Sequence, residues 1–351
     1  MRDPVDRYHR QALLPEIGEA GQQCLTRGQV LIVGCGALGC AQADLLVRAG
    51  VGCVRIVDRD VVEPTNLQRQ VLYGEADVGR AKALAAVERL RAINSGIAIE
   101  PIAADATYEN IEGLAEDVDA ILDGTDNFET RFLLNDVSVK LGVPYVYGGV
   151  IASRGMAATF VPGDGEHSTP CLRCVLTEAP PPGSTPTCDT AGVLGPAVSI
   201  VAAHQAADAM KILLGRNDLL SGRMLDFDLF AGTHRSLALA DIAGNRTACR
   251  CCCQFRFDSL DGVGGSSAQA LCGRGAVQVS PASGATVGLD ELASRLEAHG
   301  PCRRIGPLLK VEATQGKKQF DLTVFPDGRA IISGTEDLAE ARAIYARLIG
   351  T

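Results

Sequence analysis

Val30-Leu-Ile-Val-Gly34-Cys-Gly36-Ala37-Leu-Gly39-Cys40 decides the fold. Val30 to Val33 is a short apolar run of the kind that forms a buried parallel strand, and Ala41 to Ala49 has the apolar spacing of a helix. Between them stands a G-x-G-x-x-G turn. Its glycines permit a tight reversal and a close backbone approach, and the helix start adds about half a positive charge facing whatever lies there. An anionic phosphate suits such a place.

Working outward, a second apolar strand, Val54-Arg-Ile-Val57, ends in Asp58, which lies 19 residues past Gly39, where a carboxylate meets ribose hydroxyls. Asp60 reads either as a further nucleotide contact or as a turn and capping residue. Nicotinamide enzymes share all of these Rossmann-like features. The next residues differ: Asn66-Leu-Gln-Arg69-Gln70, then Lys82, then Asp123-Gly-Thr-Asp126-Asn127. Cations together with a carboxylate able to hold a metal suit phosphoryl or nucleotidyl transfer, whereas hydride transfer has no use for a triphosphate clamp.

The chain has 351 residues, above the usual size of a single core, so two domains are expected. Its formal net charge of -9 argues against nucleic acid or an anionic membrane as the main partner. Residues 1–8 carry no apolar leader, and the apolar stretch from Ala191 to Gly215 is interrupted by Pro196, His204, Gln205 and Asp208. A cytoplasmic enzyme is the expectation, and its 13 cysteines then read as reduced thiols and metal ligands instead of disulfides. Cys171-Leu-Arg-Cys174 and Cys249-Arg-Cys-Cys252 form two C-x-x-C knuckles with the spacing of a structural zinc site. Cys251 and Cys253 crowd the second knuckle. Cys24, Cys35, Cys40, Cys53, Cys272 and Cys302 are isolated and expected to be buried.

Strands and helices alternate from Val30 to about Asp126, with a helix expected over Val78 to Ala92 and a strand at Asp119 to Asp123. This is an α/β pattern: a mostly parallel sheet with helices on both faces. Ligands collect at the carboxyl ends of such strands, where Gly34, Asp58 and Asp126 all fall. Further strands are expected at Val143 to Val150 and Ala157 to Val161. The proline-rich run Glu178 to Thr187 reads as an irregular, mobile loop leading to Cys188 and an amphipathic helix that ends at Leu214. The expected domains are residues 1–257 with the zinc knuckles, a linker at 258–268, and a small α+β domain at 269–351. In that last domain strands are expected at Ala276 to Ser280 and Leu308 to Ala313, helices at Leu289 to Ala298 and Leu338 to Ile349, and a hairpin turn at Asp327-Gly328.

Arg7-Tyr-His-Arg10-Gln, the glycine turn, Asp58, Asn66 to Gln70, Lys82, Asp123 to Asn127, both knuckles and Cys188-Asp-Thr-Ala-Gly192 stand in the order seen in the ThiF/MoeB/HesA adenylyltransferases, relatives of the ubiquitin-activating enzymes. The resemblance covers residues 7 to 253. The tail resembles the extra domain of some bacterial ThiF-like members and not a rhodanese domain. Ala37 and Thr65 depart from the Gly and Ser common in the family.

The resemblance implies that ATP adenylates the C-terminal Gly-Gly carboxylate of a ubiquitin-like sulfur carrier, for thiamine or molybdenum cofactor synthesis. It implies Gly34, Gly36, Ala37, Gly39, Asp58, Asp60, Asn66, Gln70 and Asn127 as nucleotide contacts. Arg69 and Lys82 would be the phosphate clamp and Asp126 the Mg²⁺ ligand, while Arg10 would reach the partner's site in a homodimer. Cys188 would accept the carrier as a thioester or acyl disulfide, or be a plain loop thiol. A cysteine desulfurase or rhodanese is the implied sulfur donor. The competing readings are a nicotinamide or flavin oxidoreductase, a silent zinc scaffold for a ubiquitin-like partner, and adenylation of a tRNA-bound carboxylate.

Overall fold

The computed structural model describes residues 4–178, 180, 187–244, 246–262, 267–271, 275–281, 287–305, 308–315 and 318–350. Most of the proline-rich run, residues 263–266 of the expected linker, and Cys272 lie outside them. Two compact units divide the chain. The first holds the chain up to Thr125, Leu133–Thr177 and Leu194–Phe257; the second holds Asp126–Phe132, Glu178–Val193 and the chain from Asp258 onward.

The first unit is an eight-stranded sheet of β1 (Gln29–Val33), β2 (Cys53–Val57), β3 (Ala98–Ile102), β4 (Ala120–Asp123), β5 (Tyr145–Ile151), β6 (Arg154–Phe160), β7 (Arg223–Asp228) and β8 (Thr233–Ala238), in the order β3-β2-β1-β4-β5-β6-β7-β8. The first five pair in parallel and the last three add antiparallel. The principal helices of the chain are α1 (Pro4–Ala12), α2 (Gly18–Arg27), α3 (Ala37–Ala49), α4 (Lys82–Ile93), α5 (Phe128–Leu141) and α6 (Gly195–Leu213), followed in the second unit by α7 (Leu289–Leu296) and α8 (Leu338–Leu348). Val30, Leu31 and Ile32 of β1 are fully buried, as a central parallel strand covered on both faces requires. The chain order reverses at β1, which lies between β2 and β4, so a crevice opens beyond the carboxyl ends of β1 and β4.

Three boundaries differ from expectation by three residues or more. Helix α3 begins at Ala37, inside the glycine turn, so the helix start faces the crevice directly. Helix α4 begins at Lys82 instead of Val78, because Gly79 takes φ +88° and Ala81 bridges back to Val61. The expected strand at Ala157 begins three residues earlier, at Arg154. Strands β7 and β8 were not expected at all. Of the isolated cysteines, Cys35 and Cys40 are buried as expected, whereas Cys24, Cys53 and Cys302 are only partly covered.

The second unit carries a six-stranded antiparallel sheet of β9 (Ser267–Leu271), β10 (Ala276–Ser280), β11 (Cys302–Ile305), β12 (Leu308–Gln315), β13 (Lys318–Val324) and β14 (Ala330–Ser333). Along β12 and β13 buried and open positions alternate, and the buried ones (Leu309, Val311, Ala313, Phe320, Leu322, Val324) join α7 and α8 in one core. Strands β9 and β11 went unforeseen, and β9 begins within the stretch expected to be linker.

Candidate active site

The glycine turn is held from below by backbone. Gly34 takes φ +87° and its N–H reaches the Val57 carbonyl at 2.8 Å, while Gly124, just past β4, donates to the Val33 carbonyl at 2.8 Å. A side-chain carbon on Gly39 would stand 1.9 Å from the Gly34 oxygen, and one on Gly124 2.1 Å from that same atom. Gly34, Gly39 and Gly124 therefore serve the packing of the turn. Gly36 is different: the atoms nearest to a carbon placed there are 3.9 Å away, one of them the Gln70 amide. Its open side is available to a ligand.

Asp58, 9% exposed, is bound to this turn. One carboxylate oxygen accepts the Cys35 N–H at 2.6 Å and the other accepts the Asp60 N–H at 2.7 Å. Burial raises its pKa and the Lys82 charge opposes that rise. Lys82 opens α4, with Nζ 3.0 Å from Asp60 Oδ2 and its backbone N–H on the Asp60 carbonyl at 2.9 Å. Tyr73, which the sequence reading passed over, joins these parts: its hydroxyl lies 2.9 Å from the Cys35 carbonyl and 3.2 Å from the Lys82 carbonyl. Gly34, Asp58, Asp60 and Lys82 thus meet around one turn.

Between β2 and α4 the polar run folds into a tight turn. Asn66 Oδ1 accepts the Glu63 N–H at 3.0 Å, Arg69 Nη1 donates to the Thr65 carbonyl at 3.0 Å, and the Gln70 N–H reaches the Asn66 carbonyl at 3.0 Å. Gln70 is 4% exposed, and its buried Oε1 has no hydrogen-bond partner among the described residues. Such an atom costs about 1 to 3 kcal/mol unless something arrives to meet it. An orphaned amide beside an open glycine fits a polar ligand in the crevice.

Beyond β4, Asp123 is fully buried, with Oδ1 on Thr125 and Oδ2 accepting the Tyr145 hydroxyl at 2.7 Å. Two further residues missed in the sequence, Gln42 and Gln205, send their amides to the Asp123 carbonyl at 2.8 and 2.9 Å. Asp126 is exposed, in the segment that belongs to the second unit. Asn127 caps α5, its Oδ1 accepting the Thr130 N–H at 2.8 Å. Arg10 is exposed on α1. That helix is fastened to the far end of α3, since Gln11 donates to the Ala49 carbonyl at 2.9 Å, and the 13 residues of α3 span about 20 Å. Arg10 therefore stands apart from the glycine turn of its own chain.

The cysteine knuckles form a separate centre in the first unit. The sulfurs of Cys171, Cys174, Cys249 and Cys252 all lie within 4.8 Å of one another, with 3.9 Å for Cys171–Cys174, 3.6 Å for Cys171–Cys249 and 3.5 Å for Cys174–Cys252. Tetrahedral zinc with bonds of about 2.3 Å has sulfur–sulfur edges of about 3.8 Å, so this cluster can hold a metal such as zinc. Hydrogen bonding from Cys174 lowers the pKa of the Cys171 thiol, and hydrogen bonding from Cys171 raises that of Cys174. Cys251, a fifth thiol of this cluster, is buried and receives Asn135 Nδ2 at 3.3 Å, and Cys253 is exposed. Asn135 also accepts the Leu172 N–H at 2.8 Å, and Arg173 grips fully buried Asp136 through two bonds of 2.7 and 3.0 Å. Both residues lie on α5, so the first knuckle is braced on that helix.

Cys188 begins a short helical turn, Cys188–Ala191, in the second unit. Thr187 caps it.

Residues 8–251 match the ThiF family. The sulfur carrier protein ThiS adenylyltransferase of Bacillus subtilis (strain 168) is 42% identical over 346 residues, spanning 98% of this chain and 99% of that protein. A sulfur carrier protein adenylyltransferase of Thermus thermophilus is 41% identical over 68% of this chain and 88% of its own length. The crystal structure of E. coli MccB with MccA-N7isoASN superposes with a TM-score of 0.60 at 24% identity, covering 71% of this chain and 76% of MccB, which is a likeness of fold. With a family match over residues 8–251 and a relative 42% identical over 98% of its length, the chain belongs to the ThiF family.

Proposed function

We propose that this chain is a nucleotidyltransferase that uses ATP to adenylate the C-terminal carboxylate of a ubiquitin-like sulfur-carrier protein ending in Gly-Gly. The observation that carries the reading is Lys82: a nearly buried cation, 3.0 Å from Asp60, tied through Tyr73 to the glycine turn. The full-length relative named as a ThiS adenylyltransferase points to a carrier of the ThiS kind.

The carrier carboxylate attacks the α-phosphorus of ATP, the bond to the bridging oxygen of pyrophosphate breaks, and acyl adenylate forms. A terminal carboxyl has a pKa of about 3.5 and is ionised at neutral pH, so the site needs no general base. What it must supply is positive charge where anion meets anion. Lys82 supplies part of it. Arg69 would turn from the Thr65 carbonyl toward the polyphosphate, and the start of α3 faces the same anion over Gly36. Asp58 would accept from ribose hydroxyls, since each of its oxygens keeps lone pairs beyond its backbone bond. Gln70, whose amide nitrogen and oxygen can exchange places, would offer N–H to a phosphate oxygen. Asn66 and Asp60 would shape the turns around that nucleotide.

Mg²⁺ would be held by the Asp126 carboxylate together with the phosphates, in keeping with its preference for one or two carboxylates and substrate oxygens, and would neutralise charge on the leaving group. Zinc in the four-cysteine centre would be structural, since four thiolates leave no open position. Arg10, remote from its own turn, would serve the site of a second copy in a homodimer. The Cys188 sulfur would attack the acyl adenylate and release AMP, as a thiolate giving a thioester or, once loaded with persulfide sulfur by a desulfurase or rhodanese in the cytoplasm, giving an acyl disulfide.

The test is exchange of labelled pyrophosphate into ATP, with ThiS-like and MoaD-like carriers added singly. Exchange dependent on a carrier with an intact Gly-Gly end is expected. Absence of exchange with any of them would remove the proposed substrate.

A further inference from the structure

We infer that the second unit is the seat of the Cys188 turn, and that Thr187 is the positioning residue through which it holds that thiol. Segment Glu178–Val193 and the chain from Asp258 onward belong to the same compact unit. The last helix of that unit, α8, ends as helices do, with carbonyls that have no intrahelical partner. Two donors beyond its end, the N–H groups of Ile349 and Gly350, both go to Tyr345, at 2.8 and 3.2 Å. The Arg347 carbonyl instead receives the Thr187 hydroxyl at 2.6 Å, across 160 residues of sequence.

The same hydroxyl closes the turn that carries Cys188. Thr187 Oγ1 accepts the Thr190 N–H at 3.3 Å, and the Thr187 N–H donates to Thr190 Oγ1 at 2.8 Å. One oxygen therefore spends its proton on α8 and a lone pair on the Cys188 turn. Gly350, at φ +89°, brings the chain end close as well, since a methyl there would stand 3.3 Å from Thr187 Cγ2. Cys188 itself is partly covered. Freeing the turn breaks the bond to α8, so the seat sets how often the thiol is presented. This gives the second unit a task in the reaction, and it takes its functional meaning from the proposed role of Cys188.

The test uses the intact, metal-loaded chain and compares wild type with Thr187→Val and Thr187→Ser. The rate of N-ethylmaleimide labelling is followed at Cys188 and at exposed Cys253 by peptide mass spectrometry. Valine keeps the shape and loses both hydroxyl bonds. Labelling of Cys188 is expected to rise about fivefold, the change in opening equilibrium that follows loss of the one net hydrogen bond, to Arg347, that freeing the turn must break. Serine is expected to keep the wild-type rate, and Cys253 to react alike in all three. An unchanged Cys188 rate in Thr187→Val, a parallel rise at Cys253, or serine behaving like valine would overturn the assignment. Pyrophosphate exchange measured on the same samples separates the two ideas: its absence in wild type counts against adenylation and leaves the labelling comparison intact.

Discussion

Lys82 Nζ lies 3.0 Å from Asp60 Oδ2, with the lysine side chain 8% exposed and the aspartate 52% exposed. The cation is the buried member of the pair, so Asp60 can turn to solvent when another anion reaches the lysine, whereas Lys82 has little water to turn to. A polyphosphate arriving over Gly36 then exchanges one counterion for another. Lys82→Met is expected to lower carrier-dependent pyrophosphate exchange by about 100-fold, the usual loss when a preorganised charge-stabilising group is removed. Activity within a factor of three of wild type would show that the lysine is a structural partner of Asp60 alone.

Asp58 makes the same substitution visible without any substrate. Burial raises its pKa in the folded chain above the unfolded value of about 3.9, while Lys82 and the N–H groups of Cys35 and Asp60 pull it down and the Asp60 charge pushes it up. A carboxyl whose folded pKa is raised binds its proton more tightly in the folded state, so stability falls as pH rises through that window. Removing Lys82 widens the window. The melting temperature of Lys82→Met, relative to wild type at each pH, should therefore fall as pH rises from about 4, and Asp58→Asn in that background should flatten the trend. A pH-independent difference would break the link between Lys82 and Asp58.

Two glycines of one motif should separate fold from ligand. A carbon on Gly39 meets the Gly34 carbonyl oxygen at 1.9 Å, whereas one on Gly36 meets nothing nearer than 3.9 Å. Gly39→Ala is expected to cost about 3 kcal/mol or more, as overpacking against backbone does. Gly36→Ala should stay within about 1 kcal/mol of wild type in denaturant unfolding and raise the KM for ATP instead. Equal stability loss in both variants would mean that Gly36, too, serves packing.

The apolar run Val30 to Val33, the glycines after it and the C-x-x-C spacing were legible because each is a local pattern with one dominant physical reading. Strand β8 was not: Thr233-His-Arg-Ser-Leu-Ala lies on an edge with Thr233 to Leu237 all exposed, so it lacks the apolar alternation that marks a half-buried strand. The start of α4 was misread because helical spacing runs on through Val78, while the positive φ of Gly79 breaks the helix there. Tyr73, Asn135 and Asp136 carried no signal, since a buried polar residue looks like a surface one until its partners are known. The bond from Thr187 to Arg347 joins residues 160 apart and no spacing rule reaches it.

Arg173 lies between the two cysteines of the first knuckle, and its bidentate hold on Asp136 orients the loop that carries both. Asp136 is fully buried, so removing the arginine strands a charge, which costs about 3 to 5 kcal/mol. Elemental analysis of wild type is expected to find one zinc per chain, and Cys174→Ser to find little. Arg173→Met should fold and still bind zinc, with affinity lowered about 10- to 100-fold in a chelator competition, as is usual when the support of a ligand is lost. The double variant Arg173→Met with Asp136→Leu removes both charges and should recover stability more than affinity, because apolar packing replaces the buried pair but no longer orients the knuckle. Full recovery of zinc affinity in the double variant would show that the stranded charge, and not the lost orientation, was responsible.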